Sequence, residues 1–255
     1  MPEFSPEVLL LLTLVAMLAG FIDAIAGGGG LLTIPALLFA GLSPVQALAT
    51  NKLQASFGSF SATRFFVREG LVSPGQQRWS IAATAVGAAL GALAIQQLNS
   101  DWLLKVMPFA LIAIALYLLL ARNVGRQAEA ARLTASQMNG SLLPSVGFYD
   151  GFFGPGTGTF FTLGFCQLRG MTMVQATAHA KLMNFTTNLV SLLVFVFSGQ
   201  ILWLTGLCMA AGQALGARLG AGTALKQGAG FIRLMTVAVC IAISLSLFWR
   251  QMSAS

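Results

Sequence analysis

The chain has 255 residues, of which 14 are Lys or Arg and 7 are Asp or Glu, with 56% hydrophobic residues and a mean hydropathy of +0.81. Charged residues make up 8% of it, against about a quarter in ordinary soluble domains, too few to cover a water-facing surface, so the composition is that of an integral membrane protein. The net charge of +7 is no nucleic-acid footprint, because no run of Lys and Arg with interleaved aromatics occurs, and Cys166, Cys208 and Cys240, an odd set inside apolar stretches, form no disulfide framework.

A spanning helix needs about 20 mostly apolar residues. Residues 1–7 hold no Lys or Arg, so the first apolar run, 8–26, lacks the basic flank of a cleaved signal and is expected to persist as a helix. It stops at Gly27-Gly28-Gly29-Gly30, and the next run, 31–40, is only about half a membrane long at 1.5 Å per residue. A polar stretch around Lys52 and a basic stretch with Arg64, Arg68 and Arg78 follow, then apolar runs at 79–98 and 103–121. Residues 122–140, with Arg122, Arg126, Glu129 and Arg132, read as a basic, solvated cytoplasmic linker. Beyond it the run 142–153 meets a second break, Gly154-Pro155-Gly156-Thr157-Gly158, followed by a short run at 159–168, a polar stretch around Lys181, and apolar runs at 189–198, 201–221 and 232–249. No alternating ten-residue strands occur, which excludes a β-barrel. The predicted fold is all-α: a polytopic membrane protein with broken, half-membrane helices.

The two sides of the linker repeat each other. Gly20-Phe21-Ile22-Asp23 recurs 127 residues on as Gly147-Phe148-Tyr149-Asp150. Val45–Leu53 recurs 129 residues on as Val174–Leu182, with six of nine residues identical, and Gly87–Ala92 recurs at the same offset as Gly216–Ala221. Lys105 and Met107 are answered by Arg233 and Met235. This divides the chain into a first transmembrane repeat, 1–121, the linker 122–140, and a second repeat, 141–255. The three arginines of 64–78 have no counterpart in 193–207. Because cytoplasmic loops collect Lys and Arg, these two stretches are expected on opposite faces, as inverted repeats; two parallel halves are the alternative.

Helix-interior glycines such as Gly87, Gly91, Gly212, Gly216 and Gly220 read as close-packing positions. The glycine turns read differently, because each glycine costs roughly 1 kcal/mol in a helix and non-helical backbone at membrane depth persists only where protein buries it or water reaches it. A short helix starts after each turn, so its N–H groups and positive dipole end face the break. Two such ends make an anion site of the broken-helix kind. Its candidate residues are Gly27, Gly28, Gly29 and Gly30 with Thr33, and Gly154, Pro155, Gly156, Thr157 and Gly158. A side chain at Gly29 or Gly156 is expected to block close approach and to meet a positive-φ penalty.

Asp23 and Lys52 in one repeat, Asp150 and Lys181 in the other, are charges within membrane segments. Such residues either snorkel to the interface or serve function, and their matched duplication favours function. Lys52 and Lys181 would hold the anion, with Thr50, Asn51, His179 and Asn184 as orienting groups. Asp23 and Asp150 would position the lysines or take up a coupling proton. One histidine gives no metal-ligand spacing. Neither a G-x-S-x-G motif nor a nucleotide-binding pattern occurs, so no catalytic residue, cofactor or metal is expected and the chain is not read as an enzyme.

Through Gly20–Lys52 (GFIDAIAGGGGLLTIPALLFAGLSPVQALATNK) and the blocks of Gly147–Lys181 (GFYDGFFGPGTGTF and QATAHAK), the sequence resembles the TauE/SafE sulfite-exporter family, also called TSUP, and its YfcA-like branch. The resemblance implies a multi-pass inner-membrane transporter of small sulfur-containing anions such as sulfite or an organosulfonate. Together with the glycine turns and the matched charges, the chain is read as a secondary transporter, an exporter, working by alternating access around a midplane site between the repeats. The implied partners are that anion and the lipid bilayer, with no nucleic acid; homo-oligomerisation is left open. Gly28 is replaced by Pro155 and Thr50-Asn51 by His179-Ala180, so a symmetric site is not expected. The rival readings are a passive anion channel and a cation- or proton-coupled carrier using Asp23 and Asp150.

Overall fold

The computed structural model describes residues 4–99, 103, 109, 113 and 131–227. The expected runs at 103–121 and 232–249, the first part of the linker, and the matched pairs Lys105/Arg233 and Met107/Met235 lie outside the described residues or nearly so. All described secondary structure is helical: α1 (Pro6–Ala26), α2 (Gly30–Phe39), α3 (Pro44–Arg68), α4 (Arg78–Ile95), α5 (Ala135–Gly140), α6 (Leu142–Phe152), α7 (Thr157–Arg169), α8 (Met173–Val196) and α9 (203–227).

The sequence sets most of these boundaries locally. α1 stops at Gly27, whose φ of 81° only glycine adopts readily, and whose N–H closes the last turn on Asp23 O at 2.8 Å. α3 and α8 each start with a reciprocal capping box, Ser43 with Gln46 and Thr172 with Gln175. At 1.5 Å per residue they extend about 36–37 Å, more than the roughly 30 Å hydrocarbon core. α2, with 10 residues, reaches about 15 Å, half of that core.

Polarity is turned inside out relative to a water-soluble protein. Lys52, Lys181, Asp150, Gln54 and Asn188 are buried, whereas Leu10, Leu14 and Leu18 of α1, Leu90 and Leu93 of α4, and Leu204, Leu207 and Leu215 of α9 face outward. Lipid solvates such leucines at no cost, and the interior must then satisfy the polar groups. α1 and α4 are long and apolar enough to cross a membrane.

Glycines bring the helices together in two like interfaces. A Cβ at Gly87 would lie 2.1 Å from Pro144 O, and one at Gly91 2.0 Å from Phe148 O, so α4 lies backbone to backbone on α6. Cβ atoms at Gly212 and Gly216 would meet Thr13 O and Met17 O at 2.3 and 1.9 Å, so α9 lies on α1 in the same way. These are the close-packing positions expected from the sequence.

α3 and α8 cross antiparallel. Thr50 Oγ1, near the start of α3, accepts from Leu202 N just past the end of α8; Lys52 reaches Asn188, and the rings of Phe60 and Phe185 lie 5.3 Å apart. Val72, beyond the other end of α3, shares a core cluster with Met173 at the start of α8 and with Met138 and Phe165. Arg64, Arg68, Arg78, Arg132, Arg169 and Lys226 gather toward that end. The opposite end, around Leu42, Ala47 and Leu202, holds no Lys or Arg among the described residues.

Candidate functional site

Both glycine turns lie in the centre of the bundle and touch. A Cβ on Gly158 would sit 2.6 Å from Gly27 Cα, and one on Gly27 2.3 Å from Thr159 N; the Thr159 hydroxyl donates to Ala26 O. Between the turns is a cavity of about 20 Å³, room for one water molecule. Its lining includes Gly27, Gly30, Gly154, Gly156, Gly158, Asn51, Asn184, Asp23 and Asp150 from the expected set, together with Ala55, Asn188 and Gln213.

The four charges form two ion pairs, each joining one half of the chain to the other. Lys52 Nζ donates to Asp150 Oδ1 at 2.7 Å, and Lys181 Nζ donates to Asp23 Oδ2 at 2.8 Å. The ammonium groups approach the turns closely: a Cβ at Gly154, whose φ of 96° favours glycine, would lie 3.2 Å from Lys52 Nζ, and one at Gly158, already 2.6 Å from Gly27 Cα, would lie 3.2 Å from Lys181 Nζ.

The pairs are not equivalent. Lys52 spends all three N–H donors, on Asp150 O (2.6 Å), Asp150 Oδ1 and Asn188 Oδ1 (3.3 Å). Asp150 in turn accepts from Asn184 Nδ2 at 3.1 Å and from the Thr187 hydroxyl, and its side chain is 2% exposed. Lys181 is as deeply buried, yet among the described residues it donates only to Asp23. Asp23 accepts one further bond, from Gly29 N at 3.2 Å, and is 13% exposed. Its carboxylate therefore sits on the N-terminal end of α2, where the sequence places an anion. The half-site at Asp150 is saturated; the one at Asp23 has donors to spare.

Other expected residues take supporting places. Thr33 Oγ1 and Gln54 Nε2 both donate to Asn51 Oδ1, at 2.6 and 3.0 Å, which orients that amide. Thr157 Oγ1 caps Gly154 O at 2.6 Å, Pro155 O accepts from the Tyr149 hydroxyl, and Gly28 O closes the first turn of α2 by accepting from Leu31 N. Thr50 holds Leu202 N and lies outside the cavity lining. His179 also lies outside it, half-buried on α8, with Nδ1 2.9 Å from Gln175 O and its ring against Phe165. Gly156 has the expected positive φ of 80°, but Gly29 is right-handed with φ −55°. What demands glycine at 29 is contact: a Cβ there would lie 2.8 Å from Asp23 Cβ and 3.0 Å from Ala19 O. Gln213 was not singled out from the sequence; its signal is an amide inside the apolar run 201–221, beside the packing glycines Gly212 and Gly216.

Comparison with known proteins agrees with this architecture. The family described as sulfite exporter TauE/SafE matches residues 12–247. The "Probable membrane transporter protein YfcA" of Escherichia coli strain K12 is 49% identical over 245 residues, covering 96% of this chain and 91% of that one. A "Probable membrane transporter protein ORF9" of Sinorhizobium is 47% identical over 247 residues, covering 97% and 95%, and a "Probable membrane transporter protein" of Haemophilus influenzae is 43% identical over 249 residues, covering 98% of each. No solved structure matches the chain. Matched by the family over nearly its whole length, and this similar to relatives over the same span, the chain belongs to the TauE/SafE family of membrane transporters.

Proposed function

We propose that the chain is a secondary transporter that exports a small sulfur-containing anion, such as sulfite or an organosulfonate, across the cytoplasmic membrane by alternating access around the cavity between the glycine turns. The observation that carries this reading is the pair of buried Lys–Asp bridges crossing between the halves at those turns. The turn glycines and Asn51 and Asn184 line the binding place, and Lys52 and Lys181 supply its positive charge. The cavity has room for one water and not for such an anion, so binding requires the bundle to open around it, as alternating access supplies.

The lysines and aspartates of the described site sum to zero charge, so an anion entering alone would bring an uncompensated charge into a buried place. A proton taken up by Asp23 offsets the charge of a monovalent anion, such as hydrogensulfite or an organosulfonate, and frees Lys181 Nζ and Gly29 N–H for it. Proton and anion then cross together, so export runs where the outward anion gradient outweighs the inward proton gradient. Asp23 suits this task better than Asp150, having fewer partners and more exposure. In liposomes containing the purified protein, labelled sulfite uptake is expected to be accelerated by unlabelled sulfite on the far side and by a proton gradient in the direction of uptake. Asp23→Asn should keep the exchange and lose the response to the gradient. Uptake without trans-stimulation would sink the carrier reading and leave the channel.

The repeats 1–121 and 141–255, joined by a cytoplasmic 122–140, are in this reading inverted about an axis through the site. The antiparallel run of α3 and α8 supports this, and the positive-inside rule puts the basic end in the cytoplasm. Gly75 and Gly199 are exposed, with open space around their Cβ positions. Cysteines introduced there, in a background lacking the native three, should label from opposite membrane faces; labelling from one face restores two parallel halves.

A further inference from the structure

Gln213 of α9 is 2% exposed and lines the central cavity, and its Oε1 has no hydrogen-bond partner among the described residues. Buried amides are normally paired, because a protein gives up their hydration without return otherwise. The surrounding helices hold this one in place. A Cβ at Gly58 of α3 would lie 2.4 Å from Gln213 Cγ, and one at Gly20 of α1 would lie 2.3 Å from Gln213 O. Gly58 thus clears the slot through which the side chain reaches the cavity, and Gly20 lets the α9 backbone lie close against α1.

The duplicated half fills the matching places differently. At the 129-residue offset Ala55 corresponds to Asn184 and Gly58 to Thr187, the two residues that saturate Asp150. Around Asp23 those positions carry no polar side chain, and the amide of Gln213 comes in over Gly58 instead, without bonding to the carboxylate. We infer that Gln213 is a substrate-binding residue, whose amide hydrogen-bonds an oxygen of the transported oxyanion beside Asp23 and Lys181. A half-turn of the amide exchanges its acceptor and donor ends, so its N–H₂ serves a negatively charged oxygen. The inference rests on the anion-carrier reading above.

The test is titration of the purified protein with sulfite and with methanesulfonate, alongside a melting curve without ligand. Gln213→Leu stays close to glutamine in size and removes the hydrogen bond. It should weaken binding roughly 10- to 150-fold, the range for a bond to a charged group. Its Tm should stay at or above that of the wild type, because the change also removes an unpaired buried polar atom. Gly58→Ala pushes the amide out of its slot and should weaken binding too, with no further effect when added to Gln213→Leu. Wild-type affinity in Gln213→Leu overturns the proposal, as does a markedly lowered Tm, which assigns the residue to packing. If the wild type binds neither anion, the carrier reading falls first and this proposal with it; loss of the Gln213 effect alone leaves that reading standing.

Discussion

Lys181→Ala is expected to abolish sulfite binding at a much smaller cost in stability than Lys52→Ala. Both ammonium groups are buried and each faces a carboxylate, so size and burial do not separate them; their remaining partners do. Removing Lys52 strips three hydrogen bonds at once and leaves Asp150 charged at 2% exposure with no cation beside it. Breaking one side of a buried pair costs about 3–5 kcal/mol, or roughly 6–20 °C in Tm for a chain of this size. It also unties the first half of the chain from the second. Removing Lys181 strips a single bond among the described residues, and Asp23, bordering the cavity at 13% exposure, can be reached by water. Lys181 is also the lysine with unused donors among the described residues, so its loss should fall on affinity. Melting curves and sulfite titrations of the two variants check this together. Unchanged binding in both would remove the lysines from the site, and equal destabilisation would mean the two bridges are equivalent after all.

Gly27→Ala is expected to disable the protein, whereas Gly70→Ala should cost only about 1–2 kcal/mol, the price of a left-handed residue with a Cβ. The two glycines have similar positive φ, 81° and 71°, so backbone strain is common to both. Around Gly70 the Cβ meets nothing, whereas at Gly27 it lies 2.3 Å from Thr159 N and 2.4 Å from Gly158 C, backbone atoms that cannot swing aside. The turns must then part, and the cavity between them with them. Gly87→Ala separates this from ordinary packing: its Cβ presses on Pro144 O, away from the cavity, so Tm should drop while the folded fraction keeps its affinity. Sulfite titration with a melting curve for all three variants decides it. A Gly27→Ala protein that folds and binds like the wild type would reduce the turn-to-turn contact to a coincidence of packing.

Much of the architecture follows from the chain alone, because its causes are local. A charge content of 8% rules out a water-facing surface. Glycine runs end helices wherever they fall, and the half-length α2 after Gly27–Gly30 is read directly from that. Duplicated charges beside duplicated turns pick out the candidate site, and both turns do meet beside one cavity. What only the tertiary structure decided is who partners whom. Lys52 bonds a residue 98 positions away, and Lys181 one 158 positions away; aligning each lysine with an aspartate of its own half gives no hint of the crossing, which depends on how α1, α3, α6 and α8 pack in space. The same packing turns Thr50 and His179 away from the cavity although they are polar and near the lysines, since a helix points consecutive residues in different directions. It also seats Gln213 against Gly20 and Gly58, which lie on two other helices, the first under its backbone and the second under its side chain. Local chemistry is written residue by residue, whereas a buried contact belongs to several helices at once and exists only when all of them are in place.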